Sequence, residues 1–248
     1  GSSTGTGEIS GSLANGSSSG VAVTKEGSGT WTLSGTNLFT GALTVNNGTL
    51  VLTQPSRFTS ATAINGGVLS LTGTAGVITN TSGITVNAGG TLLLDNTAAN
   101  NHNDRVRNAA GITLNGGTVR FSNNAGAASY SETLGVVALS SGASTIAASP
   151  AAAGQTSTLT LSGLTRTAGS VDFTGAGLGT DTRNRILISG QAEGLIGPWA
   201  TVNGSSLAAY SSTLGVYPAS GVAYADIAAR GPLSTIPDSG SASAVRIN

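Results

Sequence analysis

Of 248 residues only 8% are charged, ten basic side chains balance ten acidic ones, and 38 are glycine. Such a chain lacks the basic patch that would hold nucleic acid or an anionic membrane, and it lacks the high net charge of a disordered segment. Cysteine is absent, which excludes a disulfide framework; no apolar run reaches the ~20 residues of a membrane span, so no membrane insertion by this segment is expected.

Residues 1–20 are rich in Gly, Ser and Thr, with Ile9 and Leu13 as the only large apolar side chains. The stretch 7–11 reads as a thin first rung. From 21 to 94 the pattern sharpens. Short alternating runs stand at 30–33 (Thr-Trp-Thr-Leu), 43–45 (Leu-Thr-Val) and 49–52 (Thr-Leu-Val-Leu). Alternation of this kind fits a strand with one buried side, because successive side chains point to opposite faces. Between the runs lie Ser34-Gly35-Thr36-Asn37 and Asn46-Asn47-Gly48, and Asn and Gly accept positive φ at corners.

A strand of three or four residues cannot bury its apolar side alone. It needs copies above and below, and the copies are present. Apolar-x-apolar, an Asn/Gly corner, then apolar-x-apolar returns at 63–71, 84–94 and 112–121. A degenerate copy follows at 137–142, and further ones at 159–163 and 186–190. The corner asparagines Asn46, Asn65, Asn87 and Asn115 recur at intervals of about 19 to 28 residues, the length of one solenoid coil. They read as a structural ladder in which each amide bonds to the next rung.

Other segments interrupt the pattern. Residues 95–110 carry Asn and most of the local charge and read as a loop leaving a corner; 123–132 reads as a second loop. Residues 147–154 are small enough for a turn or a brief helix. Residues 195–238 carry Trp199, Tyr210, Tyr217 and Tyr224 and read as an elaboration packed on the solenoid's side. The segment 239–248 reads as a terminal strand ending in Ala244-Val245-Arg246-Ile247. The domain reading is therefore one solenoid unit over 1–248: first rung 1–20, repeat coils 21–194, elaboration 195–238, terminal strand 239–248. The chain starts inside repeat-like sequence without an initiator Met or signal peptide, so a processed product or a window from something longer is expected.

No catalytic constellation is expected. His102, the only histidine, lies near Asp104, Arg105 and Arg107; with no nucleophile indicated, this reads as a solvated loop with local ion pairs. Asp172 and Asp181 could serve glycoside hydrolysis only at the right separation across a groove, and Asp181 with Arg183 reads as a salt-bridged turn. No calcium-roll or phosphate-loop motif occurs, so no metal and no cofactor are expected. Trp199 and the tyrosines leave room for glycan contact.

The segment 24–52 resembles the passenger-associated transport repeat of bacterial autotransporters, also called the autotransporter-associated β-strand repeat. The resemblance rests on Thr24, Lys25, Gly27, Gly29, Thr30, Thr32, Leu33, Ser34, Gly35, Asn37, Thr40, Gly41, Val45, Gly48, Thr49, Leu50 and Leu52. Trp31 stands where the repeat usually has Leu and Phe39 where it has Tyr, both apolar replacements. The resemblance implies a right-handed parallel β-helix displayed outside the bacterial cell or on its surface. The expectation is thus an all-β, right-handed parallel β-solenoid of about eight to ten coils at the ordinary strand spacing. It would act as a structural building block of an extracellular filament or giant surface protein, not as an enzyme. Its partners would be copies of itself, head to tail through Ile9, Val245 and Ile247, or flanking repeats of the same polypeptide. An adhesin stalk of an autotransporter passenger and a polysaccharide-active β-helix enzyme are the alternatives.

Overall fold

The computed structural model describes residues 4–17, 20–97, 102–123, 129–149 and 154–219, and the backbone of 225–226 and 245–246. Within them the secondary structure is all β, with no helix. The strands are β1 Gly7–Ile9, β2 Val23–Lys25, β3 Thr30–Leu33, β4 Leu43–Val45, β5 Thr49–Leu52, β6 Thr62–Ile64 and β7 Gly67–Leu71. There follow β8 Gly83–Asn87, β9 Gly90–Asn96, β10 Gly111–Asn115, β11 Thr118–Asn123, β12 Tyr130–Ser141, β13 Ala143–Ala148, β14 Ser157–Arg166, β15 Ser170–Thr174 and β16 Asn184–Ile188. The last group is β17 Gly194–Leu195, β18 Ala200–Val202, β19 Ser206–Ser211 and β20 Gly215–Pro218.

The chain winds as a parallel β-solenoid of about seven turns. Even-numbered strands from β2 to β16 stack into one sheet, and odd-numbered strands from β1 to β15, extended by β18, stack into a second. A narrower third side is marked by single parallel bridges, Asn37 to Ser56, Ser56 to Ile78 and Ile78 to Val106. The count is close to the expected eight to ten, and the described strands after β18 pair antiparallel.

Register holds like above like. Val45, Ile64, Val86, Leu114 and Leu139 form one inward column, and Leu50, Leu69, Leu92, Val119, Ile146 and Phe173 form the facing one. Every one of these side chains is at most 2% exposed. At about 1.5–3 kcal/mol for each fully buried side chain, these columns are the main source of stability. Phe39 and Phe58 stack with ring centroids 5.0 Å apart and planes 11° from parallel, carrying the same repetition onto the third side. At the corner after β4, Gly48 has φ +64°, and a Cβ there would collide with the Gly29 carbonyl and the Lys25 ammonium. This corner therefore requires glycine.

Three of the non-strand readings need correction. Strand β12 begins at Tyr130, inside the stretch 123–132 that reads as loop, and Asn123 still belongs to β11. A glutamate at an inward position, Glu132, disguises the alternation of Tyr130, Glu132 and Leu134, all three buried. Ala147 and Ala148 close β13, so the turn or helix expected over 147–154 begins as strand, and its middle lies outside the described residues. In the stretch 95–110 that reads as loop, Asp95 and Asn96 still belong to β9 and Arg105, Val106 and Ala110 are buried, while Asn103, Asp104, Arg107, Asn108 and Ala109 are exposed. Val106 rejoins the third side, and Arg105 is fully buried.

The two ends of the solenoid differ. Among the described residues β1 and β2 each have a neighbour on one side only, and Ile9, Leu13, Val23 and Trp31 beside them are partly buried. At the other end β19 pairs antiparallel with β18, and β17 and β20 pair antiparallel with β19. This meander folds over β16: the Ile188 N–H donates to the Tyr210 hydroxyl at 3.3 Å. The backbone pair Ala225–Asp226 with Val245–Arg246 forms a separate two-stranded sheet.

Candidate functional site

The corner asparagines are positioned by the ends of β4, β6, β8 and β10, one residue past the inward apolar column. Asn65 donates through Nδ2 to Asn46 Oδ1 at 2.7 Å, Asn87 to Asn65 at 2.7 Å, and Asn115 to Asn87 at 2.9 Å. Asn46 in turn donates to Glu26, and Ser141 Oγ donates to Asn115 Oδ1 at 3.5 Å across a bulge in the register. Each amide thus spends one N–H and one oxygen lone pair on its neighbours. Each such bond is worth about 0.5–1.5 kcal/mol net, and together they fix the outer edge of the sheet. A second, internal run links Asn96 to Asn123 at 3.3 Å and Asn123 to Ser157 at 2.6 Å.

Lys25, from the Thr-Lys start of the repeat, is 2% exposed. Its ammonium donates to the carbonyls of Glu26, Gly27 and Asn47 at 2.7, 2.6 and 3.1 Å. Three donors meet three acceptors, so the side chain ties its own corner to the corner of the next coil.

A deeper charged group spans three coils. The Arg105 guanidinium donates to the Gly76 carbonyl at 2.9 Å, the Gly73 carbonyl at 3.0 Å and Asn96 Oδ1 at 2.8 Å. Glu132, 1% exposed, lies on the far side and accepts the backbone N–H of Arg105 at 2.9 Å and of Val106 at 3.1 Å. Burial lowers the Arg105 guanidinium from its usual value, and Glu132 works against that. Burial pushes the Glu132 carboxyl up to about 7, with the two backbone donors pulling the other way. Sequence reasoning missed this pair. The cue for Glu132 was its place in the period-2 alternation; Arg105 gives no cue, because the loop carrying it is polar throughout.

The scattered candidates do not converge. His102 accepts the Asp104 N–H through Nδ1 at 3.1 Å, and burial, then Arg105, lowers its pKa. Asp172 accepts from Thr201 Oγ1 and the Gly204 N–H, both at 2.8 Å, and so fixes the β18–β19 turn. Asp181 pairs with Arg183 at 2.7 Å in an exposed turn. Tyr210 is buried, Tyr217 packs on Gly179, and Trp199 lies half-buried with the Arg166 guanidinium 5.4 Å over its ring. Tyr224 lies outside the described residues. Among the described residues no group of three or more His, Asp or Glu could hold a metal. Of the end-contact residues, Ile9 ends β1 at the open first coil, Val245 is described by backbone alone, and Ile247 lies outside the described residues.

Residues 23–52 and 47–71 match the family model of the passenger-associated-transport-repeat. The two matches overlap and cover the rungs from β2 to β7, where the Lys25 tie and the first two ladder asparagines sit. No curated protein and no solved structure matches the chain. Residues 23–71 thus resemble this repeat, and they lie within a β-solenoid.

Proposed function

We propose that the chain is a structural building block of an extracellular bacterial filament or giant surface protein, joined end to end with its neighbours. The passenger repeat supports a secreted or surface-exposed setting. The observation that supports the reading is that, among the described residues, β1 and β2 pair on one side only, above partly covered apolar side chains. An exposed strand edge is a template for a further strand. The opposite end is covered by the meander, so the joint is asymmetric. The open coil of one unit receives an extended segment of the next, and the alternating run Ala244-Val245-Arg246-Ile247 is the segment of this chain that would exchange its pairing with Ala225 and Asp226 for that coil. A head-to-tail contact that does not close produces a filament. In this reading Asp172, Asp181 and His102 hold turns in place and have no catalytic role.

Negative-stain images of native material should show rods, and deletion of residues 244–248 should shorten them or release single units. A native preparation that remains monodisperse at the mass of one chain contradicts the proposal.

A further inference from the structure

The sequence holds five Asn-Gly pairs, at 15–16, 47–48, 65–66, 115–116 and 203–204. Such a pair can react with itself, because the glycine nitrogen can attack the asparagine Cγ and no side chain on the glycine stands in the way. The reaction needs a carboxamide free to turn and a following N–H that lies beside it. The fold denies this to four of the pairs. Asn15 Oδ1 accepts the N–H groups of Val21 and Thr40 at 2.9 and 3.0 Å, and its Nδ2 donates to Thr40 Oγ1 at 2.9 Å. Asn65 and Asn115 are held through both amide atoms by the ladder, and the Gly116 N–H is spent on Ser144 Oγ at 3.1 Å. Asn203 grips the Gly175 backbone through both amide atoms, and the Gly204 N–H donates to Asp172.

Asn47 differs on both counts. Its side chain is exposed. Its Oδ1 accepts the N–H of its own neighbour, Gly48, at 2.7 Å, and its Nδ2 makes no hydrogen bond among the described residues. The nitrogen therefore lies against the carboxamide, and a turn about Cβ–Cγ, resisted by that single bond, brings the face of Cγ onto it. The Lys25 ammonium holds the Asn47 main-chain carbonyl at 3.1 Å, and with it the peptide plane that carries the Gly48 nitrogen. Because Gly48 sits at φ +64°, the corner needs the residue that also leaves its nitrogen unhindered. We propose that the fold singles out Asn47–Gly48 as a site of self-modification. The Gly48 nitrogen gives up its proton and bonds to Asn47 Cγ. The Cγ–Nδ2 bond breaks, and ammonia leaves with that proton from a cyclic imide. Water then opens the imide at either carbonyl. Opening at the side-chain carbonyl gives an aspartyl residue. Opening at the main-chain carbonyl gives an isoaspartyl residue, which adds a methylene to the chain between β4 and β5. The carboxylate freed in that second case is the former carbonyl that Lys25 holds. Either product gives the formally neutral chain a net negative charge.

Peptide mapping by mass spectrometry, on the folded full chain incubated in mildly alkaline heavy-oxygen water, tests it. Position 47 should take up the label on the order of a hundredfold faster than positions 15, 65, 115 and 203. In denaturant all five should react at comparable rates. Asn47→Gln should leave the melting temperature little changed, because the side chain is exposed, and should remove the main acidic variant seen on isoelectric focusing. Position 47 reacting no faster than the ladder asparagines in the folded chain, a preference for it that is as strong in denaturant, or an acidic variant that persists in Asn47→Gln would each overturn the proposal.

Discussion

Val86→Asp should unfold the coils around it. Val86 is fully buried between Ile64 and Leu114, so the change removes a side chain worth about 1.5–3 kcal/mol. It also places a carboxylate where neither rung offers a donor, and the penalty for an unpaired buried ion is several kcal/mol more. Set against a total stability of about 5–15 kcal/mol for a domain, the sum is large. The coils pair only with their neighbours, so the loss should spread from the damaged rung. Circular dichroism should show reduced β signal and the melting temperature should drop steeply. An unchanged spectrum and melting temperature would show that Val86 does not face inward.

The second large effect lies at Glu132. Its folded pKa of about 7 stands above its ordinary value of 4.5 because burial disfavours the charge. The folded state therefore holds a proton that the unfolded state gives up over this range. The resulting stability is fully present below pH 4.5 and is lost as pH rises through about 7. At about 1.4 kcal/mol per pKa unit, the loss is on the order of 3 kcal/mol. His102, whose pKa is lowered by burial, acts in the opposite sense: its contribution is lost as pH falls. Thermal melts should show stability declining from mildly acidic to mildly alkaline conditions, and Glu132→Gln should flatten that slope. Glu132→Ala should cost about 1–3 kcal/mol for each of the two buried backbone donors, Arg105 N–H and Val106 N–H, that it strands. A wild-type stability that rises over the same interval would contradict this account of Glu132.

The coils were legible because their information is local. Thr-x-apolar alternation sets which side faces inward, and Asn46-Asn47-Gly48 with its later copies sets where the chain turns. Each cue lies within about ten residues and then repeats, so the parallel register follows from superposition. The Asn46–Asn115 ladder is readable for the same reason, since residues at equivalent corner positions are brought to one strand spacing. Arg105 escaped notice because burying it depends on carbonyls at Gly73 and Gly76, about thirty residues upstream, which no local pattern announces. The meander from Gly194 to Pro218 was legible only as an aromatic departure from the repeat. Its antiparallel pairing rests on turns such as Asn203-Gly204, where Asn203 has φ 51° and Gly204 φ +64°, and single turns of that kind are common in loops as well.

The stacking of successive coils is the claim on which the rest depends. Thr30, Thr49, Val68, Thr91, Thr118 and Thr145 form one outward column, each one rung from the next. The chain has no cysteine of its own, so spin labels can be placed at Thr30→Cys and Thr145→Cys alone. Five strand spacings of about 4.8 Å separate them, which predicts a narrow electron–electron distance distribution centred at about 24 Å. A broad distribution, or one centred well beyond that length, would contradict the solenoid.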